Sequence, residues 1–317
     1  MAQNPTAENR LEPHKVIMFA ENVAHVGQQR KSRLANFVTA DLAFSGSGDR
    51  FTDELVGVHD MIEMFNDFGD TPDNDTDKMR RLAFFKTFAD SQKVGKREQA
   101  EQLIDPLNPK VVSMGYALER QRDRSIIKGL YDGMYDVDDD GDIVKSAFSP
   151  QTIGKSFTGY HKGKADGDAA PGTAPTVLTP AKLRGATVLQ SKAQIISMHV
   201  PHVLVEEEDL QNMLTSVEVS SADYNQLSRV IDGEIDMFKG KKLVRVEAGT
   251  LKTNAAGNTA YLPMYYPDQI LFKERPLVST RVGERPDKMY RWYAYMEVQH
   301  SVLRREDKGV IHIEVER

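Results

Sequence analysis

The C-terminal part of the chain alternates apolar and polar residues with the two-residue period of a β-strand. Residues 290–304 place a set of apolar side chains on one face of such a strand: Trp292, Ala294, Met296, Val298 and Val302. After the charged turn REDKG, the same alternation returns at Ile311, Ile313 and Val315. The pattern predicts that these two segments form a β-hairpin with one buried face.

A helical period follows Asn108-Pro109, a capping residue followed by the proline that favours the first helical position. Apolar residues then recur mostly three or four positions apart until Gly133: Val111, Val112, Met114, Ala117, Leu118, Ile126, Ile127 and Leu130. The pattern predicts one long helix over about residues 109–132, which would measure roughly 36 Å.

The second half of the chain predicts a mixture of helices and strands. Thr179-Pro180 repeats the capped start and predicts a helix that ends near Ser191. Four further elements follow as strand, helix, helix and strand, in the segments MHVPHVLV, EEEDLQNML, SADYNQLSRVI and KKLVRVE. Pro201, inside the first of these strands, indicates a sheet edge or a bulge because proline has no N–H to donate.

Two apolar segments, residues 51–66 and 78–90, flank the acidic linker FGDTPDNDTD and predict a long hairpin. Each limb of about 15 residues would reach ~50 Å, whereas a compact body of this length has a radius of gyration of only ~20 Å. The limbs can therefore overhang the subunit. A neighbour would then have to bury their apolar residues, which are Val56, Val58, Met61, Ile62, Leu82, Phe84 and Phe85. The alternative is a hairpin that folds back on its own core.

Composition and charge narrow the class of protein. The 317 residues carry a formal net charge of −6 and no cysteine, which excludes disulfides and thiolate chemistry and suits a reducing cytosol. No apolar stretch is long enough to predict a signal peptide or a membrane span. The acidic balance argues against a dedicated nucleic-acid binder, and the basic cluster Arg30, Lys31 and Arg33 is too small for strong binding.

One acidic segment, DVDDDGDI at 136–143, is similar to the start of an EF-hand calcium loop. Asp136, Asp138 and Asp140 would occupy the first, third and fifth positions. The twelfth position, which should be a bidentate glutamate, is Ala147. A solvated acidic turn is therefore favoured over a calcium site. We find no catalytic constellation and no cofactor motif.

Four stretches together resemble the podophage-type major capsid proteins of tailed bacteriophages. They are HVGQQRKSRL at 25–34, LIDPLNPKVVSMGYALERQRDRSIIKGL at 103–130, SSADYNQLSRVIDGEIDMFKGKKLVRVE at 220–247 and RVGERPDKMYRWYAYMEVQHSVLRREDKGVIHIEV at 281–315. That family is similar in fold to the Hong Kong ninety-seven phage shell protein. The resemblance therefore implies an α+β phage capsid fold with an N-terminal arm, an E-loop hairpin, a long spine helix, a P-domain sheet and an A-domain.

The resemblance also implies a domain order and a set of partners. The order is an arm at 1–50, the E-loop at 51–93, a P-domain at 94–178 with the spine helix, an A-domain at 179–270 and a C-terminal P-domain hairpin at 271–317. The subunit would assemble in the host cytoplasm into the hexamers and pentamers of an icosahedral virion shell. Its partners would be a scaffolding protein and a portal, with a decoration protein left open. The shell would enclose double-stranded DNA without sequence-specific binding.

The resemblance also motivates one hypothesis about single residues, in which Arg80 and Arg81 on the E-loop meet Glu119 or Asp123 on the spine helix of a neighbouring subunit. The motivation is opposite charge on two long elements that are expected to cross between subunits. The rival interpretations are an encapsulin-like nanocompartment shell and, as a different class of protein, a calcium-dependent soluble enzyme centred on residues 136–147.

Overall fold

The computed structural model describes most of the chain between Gln29 and Arg317. The described residues are 29–57, 61, 63, 78–94, 107–138, 140–159, 176–195, 198–215, 221–232, 236–275, 281–285 and 291–317. Most of the predicted N-terminal arm, the acidic linker of the predicted hairpin and the glycine-rich segment 164–175 lie outside them. Within the described part of the chain, no helix is long and apolar enough to cross a membrane.

The described residues contain four α-helices: α1 Leu107–Tyr131, α2 Pro180–Lys192, α3 Glu207–Thr215 and α4 Ser221–Ile231. All four were predicted from the sequence. At α2 the cap is also confirmed, because the Thr179 hydroxyl accepts a hydrogen bond of 3.3 Å from the N–H of Lys182. At α1 the predicted start was wrong by two residues, since Asn108 already lies in the first helical turn.

The described residues also contain fifteen strands. They are β1 Thr39–Asp41, β2 Arg50–Val56, β3 Lys78–Phe84, β4 Lys86–Val94, β5 Tyr135–Val137, β6 Ile143–Lys145, β7 Gln151–Ile153, β8 His202–Val205, β9 Met237–Phe238, β10 Lys241–Arg245, β11 Thr259–Tyr265, β12 Ile270–Arg275, β13 Arg281–Arg285, β14 Arg291–Arg304 and β15 Val310–Glu316.

These strands form three sheets. In the first, the long strand β14 pairs antiparallel with β4 along one edge and with β12 and β13 along the other, and β1 extends the sheet parallel to β12. The second sheet has the order β7-β15-β11-β8-β10-β9, and the third has the order β2-β3-β5-β6. The helix α1 packs against β14 of the first sheet.

The C-terminal hairpin predicted from the alternating pattern was wrong. The strands β14 and β15 exist, but β14 belongs to the first sheet and β15 lies between β7 and β11 in the second. A short 3-10 helix at Asp307–Gly309 redirects the chain between them. The prediction of one buried face is also wrong at the end of β14, because side chains on both faces are buried there. Ser301 and Leu303 lie on one face, and His300 and Arg304 lie on the other.

The predicted hairpin at 51–93 is confirmed in its pairing but not in its length. The strands β2 and β3 are antiparallel, with Phe51 opposite Ala83 and Val56 opposite Lys78. The predicted strand at 78–90 is divided at Phe85, because the residues after it leave this sheet and pair with β14.

The prediction that Pro201 marks a sheet edge or a bulge was also wrong. Pro201 precedes β8, which has a paired strand on each side, so the missing N–H of proline removes no hydrogen bond between strands.

One large core joins α1, α2 and α3 to the second sheet, and its fully buried members include Leu130, Leu183, Leu204, Leu210 and Ile313. A smaller cluster of Phe51, Ala83, Leu271 and Leu303 fixes the base of the β2–β3 hairpin to the first sheet. The hairpin is therefore anchored at one end by apolar packing.

Buried charge reinforces this anchor. Arg81 on β3 is only 4% exposed, and its guanidinium lies 2.8 Å from the Asp136 carboxylate and 3.0 Å from that of Asp307. Arg304, which is 0% exposed, shares Asp307 at 2.9 Å and donates a 2.8 Å hydrogen bond to the Gly129 carbonyl of α1. Hairpin, helix and C-terminal strand therefore meet at one network of four charges.

Two buried histidines lie in the second sheet, and burial lowers the pKa of each from 6.5 to about 4. His202 is on β8, where nearby Lys242 also disfavours the charged ring. His312 is on β15, and its Nε2 lies 3.2 Å from the Leu130 carbonyl. Because a carbonyl oxygen can only accept, Nε2 of His312 carries the proton of the neutral ring.

We expect Arg81→Ala to destabilise the subunit by about 1–3 kcal/mol, because the partly buried Asp136 carboxylate would lose its ion-pair partner and Asp307 would lose one of its two. The neighbouring Arg80→Ala should cost under about 1 kcal/mol, since the Arg80–Glu54 pair is exposed. The measurement is the free energy of unfolding in chemical denaturation. Equal losses for the two variants would contradict the buried network.

We expect the free energy of unfolding to decrease as the pH falls from about 6.5 to about 4, because in this window the unfolded chain binds protons at His202 and His312 that the folded chain does not. The full loss is roughly 3 kcal/mol for each histidine. In His312→Gln, denaturation at about pH 7 and about pH 5 should give a smaller difference than in the parent protein. A difference unchanged by the substitution would refute this assignment for His312.

Candidate functional site

A groove runs along the exposed side of α1, between this helix and the strands β4 and β14. It consists of two cavities of about 310 and 270 Å³ that share Phe88, Gln121 and Arg124 as walls. Its floor is largely apolar and includes Phe88, Met114, Leu118, Met296, Val298 and Val302. We call this surface the α1 groove.

The described residues that line the α1 groove carry an excess of positive charge. Its two carboxylates are Asp90 and Asp132, whereas its five cationic side chains are Lys86, Arg120, Arg124, Lys128 and Lys145. The three cations of α1 lie four residues apart, so they form one stripe along the helix. Lys128 lies 3.8 Å from the Asp132 carboxylate. The groove therefore favours an anionic partner that also carries apolar groups.

His300 lies under the groove, at the contact between α1 and the first sheet. Its Nε2 is 2.8 Å from the Ser125 hydroxyl, and its ring stacks on Phe88 with the centroids 4.4 Å apart. Strand pairing places Glu274 on β12 and Lys86 on β4 directly beside it. Burial, assisted by the nearby Arg122 cation, lowers the pKa of His300 to about 4. The ring is therefore neutral at physiological pH.

The adjacent side of α1 holds the chain before β1. The Asp123 carboxylate accepts hydrogen bonds from the backbone N–H groups of Arg33 (2.9 Å) and Leu34 (3.1 Å). It also accepts from the side chains of Gln29 and Ser32. Four donors on one carboxylate indicate that Asp123 fixes this segment to the helix.

Glu119 takes part in the same attachment. It accepts a 3.0 Å hydrogen bond from the N–H of Ser32 and lies 2.6 Å from Arg122. Arg122 in turn donates two hydrogen bonds, of 2.6 and 2.7 Å, to the Glu274 carboxylate on β12. The hydrogen bond with Glu274 raises the pKa of Arg122 above its usual value, so this pair stays charged and holds α1 on the sheet.

The far end of the β2–β3 hairpin is exposed. Arg80 and Glu54 pair across the two strands at 2.6 Å, and both side chains are more than half exposed. Three apolar residues at this end also face solvent in the single subunit: Val56 (65% exposed), Met61 (99%) and Met79 (41%). Several uncovered apolar side chains at one end of a hairpin are typical of a protein–protein contact.

The four charged residues that we predicted at a subunit contact lie in different environments in the structure. Arg81 and Asp123 are buried inside one subunit, where Asp307 and the backbone of residues 33–34 are their partners. They are therefore not the exposed contact residues that we expected. Glu119 is also occupied within the subunit, and only Arg80 lies on an exposed part of the hairpin. The sequence could not distinguish these residues, because charge alone does not indicate burial.

The predicted calcium ligands do not converge. Asp136 pairs with Arg81, and Asp138 accepts a 2.7 Å hydrogen bond from the N–H of Asp142 in the turn between β5 and β6. Asp140 is exposed in the same turn. Among the residues that the structure describes, no three histidine, cysteine or acidic side chains lie close enough to hold a metal ion.

The α1 groove itself was missed at the sequence level. The spacing of Arg120, Arg124 and Lys128, four residues apart, is the signal that would have revealed a cationic stripe along the helix. The contributions of Lys86 and Lys145 depend on strand pairings between distant segments, which no local pattern contains.

Comparison with known proteins agrees with this architecture. The family model described as "Phage capsid protein" matches residues 11–316. No curated protein sequence matches the chain.

Three solved structures illustrate the similarity of fold. The capsid of Ralstonia phage GP4 is 11% identical, with 93% of each chain covered and a TM-score of 0.63. The capsid of Helicobacter pylori bacteriophage KHP30 is 10% identical, with 100% of this chain and 99% of that chain covered and a TM-score of 0.63. The capsid of an empty GTA particle, computed with C5 symmetry, is 14% identical, with 94% of each chain covered and a TM-score of 0.59.

These matches support neither the nanocompartment shell nor the calcium-dependent enzyme, and the family is structural and not enzymatic. The chain belongs to the phage capsid protein family and is a major capsid protein with the Hong Kong ninety-seven-like fold.

Proposed function

We propose that this capsid protein forms the hexamers and pentamers of an icosahedral phage head that encloses double-stranded DNA. The observation that carries the proposal is the uncovered apolar end of the β2–β3 hairpin, at Val56, Met61 and Met79. Sister subunits can cover this surface. The capsid of the GTA particle, which is described with C5 symmetry, supports a five-fold arrangement of similar subunits.

The proposed assembly depends on many moderate contacts. A contact between two different surfaces of identical subunits closes into a ring when the rotation allows it, and rings then share further contacts in a shell. Each contact can be weak because several contacts hold every subunit at once. A rigid hairpin suits this task, since its base is fixed by the Phe51 cluster and by Arg81.

We also assign the capsid domains to this chain as part of the proposal. The arm is 1–50, the E-loop 51–93, the P-domain 94–178 with α1 as its spine helix, and the A-domain 179–270. The C-terminal segment 271–317 is divided in this assignment: β12 to β14 complete the P-domain sheet, whereas β15 joins the sheet that contains β8 and β10 of the A-domain. Arg80 and Glu54 would lie on the part of the E-loop that meets a neighbour.

The proposal extends to partners and place of assembly. A closed shell that encloses DNA needs an entry point and a way to control its size, which a portal and a scaffolding protein would provide in the host cytoplasm. A decoration protein remains an option. The DNA would be held by enclosure without base-specific contacts, in keeping with the net charge of −6.

We expect the purified protein to form uniform polyhedral particles or ordered sheets of capsomers in negative-stain electron microscopy, because exposed apolar surfaces on each subunit would be covered by assembly. Co-expression with a scaffolding protein of the same phage provides the positive control. A protein that remains monomeric under both conditions would contradict the proposed function.

We expect Val56→Asp to prevent assembly while the subunit remains folded, because Val56 is exposed in the subunit and would become buried in the contact. Val56→Ile retains the apolar surface and serves as the matched control, which should assemble normally. Particle yield by sedimentation and the thermal unfolding midpoint of the subunit are the two measurements. Normal particles from Val56→Asp would show that this end of the hairpin is not a contact.

A further inference from the structure

We infer that the larger cavity of the α1 groove binds a small amphipathic carboxylate, with its charged group at the Ser125 hydroxyl and its apolar chain on the floor. The inference goes beyond the proposed function, because it concerns a ligand of the single subunit. We call this cavity the Ser125 cavity. Its volume of about 310 Å³ lies at the lower end of the ~300–1,000 Å³ typical of small-molecule sites, which favours a short-chain ligand.

The floor of the Ser125 cavity is apolar and largely aromatic. Phe84 and Tyr135 meet edge to face, with their ring centroids 5.1 Å apart, and Phe88 stacks on His300. Aliphatic side chains complete the lining at Leu82, Met134 and Val302. An apolar chain that covers this surface leaves water, and each of its methylene groups then contributes to binding.

The rim of the Ser125 cavity is cationic. Among the described residues that line it, Asp132 is the one carboxylate, whereas four exposed side chains are positive: Lys86, Arg124, Lys128 and Lys145. Four cations and one anion leave an excess of three positive charges. Because Arg124 and Lys128 belong to the same helix as Ser125, they attract the charged group of a ligand towards α1.

The Ser125 hydroxyl has a proton available for that charged group. Its oxygen accepts a 3.3 Å hydrogen bond from the Gln121 amide and lies 2.8 Å from Nε2 of His300. His300 is 1% exposed, and its Nδ1 has no hydrogen-bond partner among the described residues.

The unpartnered Nδ1 assigns the proton of the neutral ring. A buried N–H without an acceptor is rarer than a lone pair without a donor, so Nδ1 of His300 carries the lone pair and Nε2 carries the proton. Nε2–H therefore donates to Ser125. The two lone pairs of the hydroxyl are then occupied by His300 and Gln121, and its own O–H is free to donate to an anion.

A carboxylate with an apolar chain uses all three features of the Ser125 cavity, namely the hydroxyl, the cations and the floor. Nucleic acid would use the cations but would leave the aromatic floor uncovered. The amphipathic ligand would contact α1, β3 and β14 at once, since all three elements line the cavity. It would therefore stabilise the folded subunit.

The test titrates the purified full chain with octanoate by isothermal calorimetry. Because the chain of the ligand is buried, the affinity should fall about fourfold for each methylene removed along octanoate, hexanoate and butanoate. Octanamide, which keeps the chain and lacks the charge, should bind about tenfold more weakly. Saturating octanoate should also raise the thermal unfolding midpoint.

Substitutions place the ligand in the Ser125 cavity. Ser125→Ala should weaken octanoate binding about tenfold, since it removes the hydroxyl donor, and Ser125→Thr should restore it. Lys128→Gln should weaken binding about two- to fivefold. Arg120→Gln is the matched control: it removes the same charge from the same helix but lines only the neighbouring cavity, so binding should equal that of the parent.

Several outcomes would overturn the inference. Equal affinities along the acid series, or equally tight binding of inorganic phosphate, would indicate a general anion site of the kind that nucleic acid uses. Octanoate that does not bind the folded parent, or that binds all variants alike, would exclude the ligand from this cavity. Should Ser125→Ala not fold, the comparison of Lys128→Gln with Arg120→Gln decides. None of these outcomes depends on particle formation, so the proposed function is tested separately.

Discussion

The buried charge network around Arg81 and Arg304 determines how the parts of this subunit are joined. Arg81 belongs to the hairpin, Asp136 to the short strand after α1, and Asp307 to the turn before the last strand. Arg304 completes the network and reaches the carbonyl of Gly129 on α1. Buried ions are tolerated only when each has its partners, so the buried guanidinium groups of Arg81 and Arg304 require one relative placement of hairpin, helix and C-terminal strand.

This placement has a consequence for assembly. The apolar cluster and the ion network hold one end of the hairpin, and the other end carries the exposed side chains of Val56 and Met79. A hairpin that is fixed at its base loses little freedom on binding, which leaves more of the contact energy for association. The same β3 strand lines the α1 groove at its base.

The two sides of α1 have different roles because their charges have different partners. Asp123 and Glu119 face the chain before β1 and are satisfied by backbone N–H groups. Arg124 and Lys128 face the groove at exposed positions. The carboxylates of this helix therefore hold the subunit's own chain, whereas the cations of the groove remain exposed in the single subunit.

The sequence by itself determined the four helices and the antiparallel pairing of the hairpin, because helical period, capping residues and alternation are local properties of the chain. The capsid family was indicated by the resemblance of four stretches to known members. The sequence did not determine that β14 and β15 lie in different sheets, that Pro201 precedes an interior strand, or that Arg81 is buried while Arg80 is exposed. These features depend on which distant segments pair with each other. The two-residue alternation of a strand does not indicate its partner, because the alternation is the same whichever strand lies beside it. Only the tertiary structure brought Lys86, Arg124 and Lys145 to one groove, since they come from three elements that no local pattern connects.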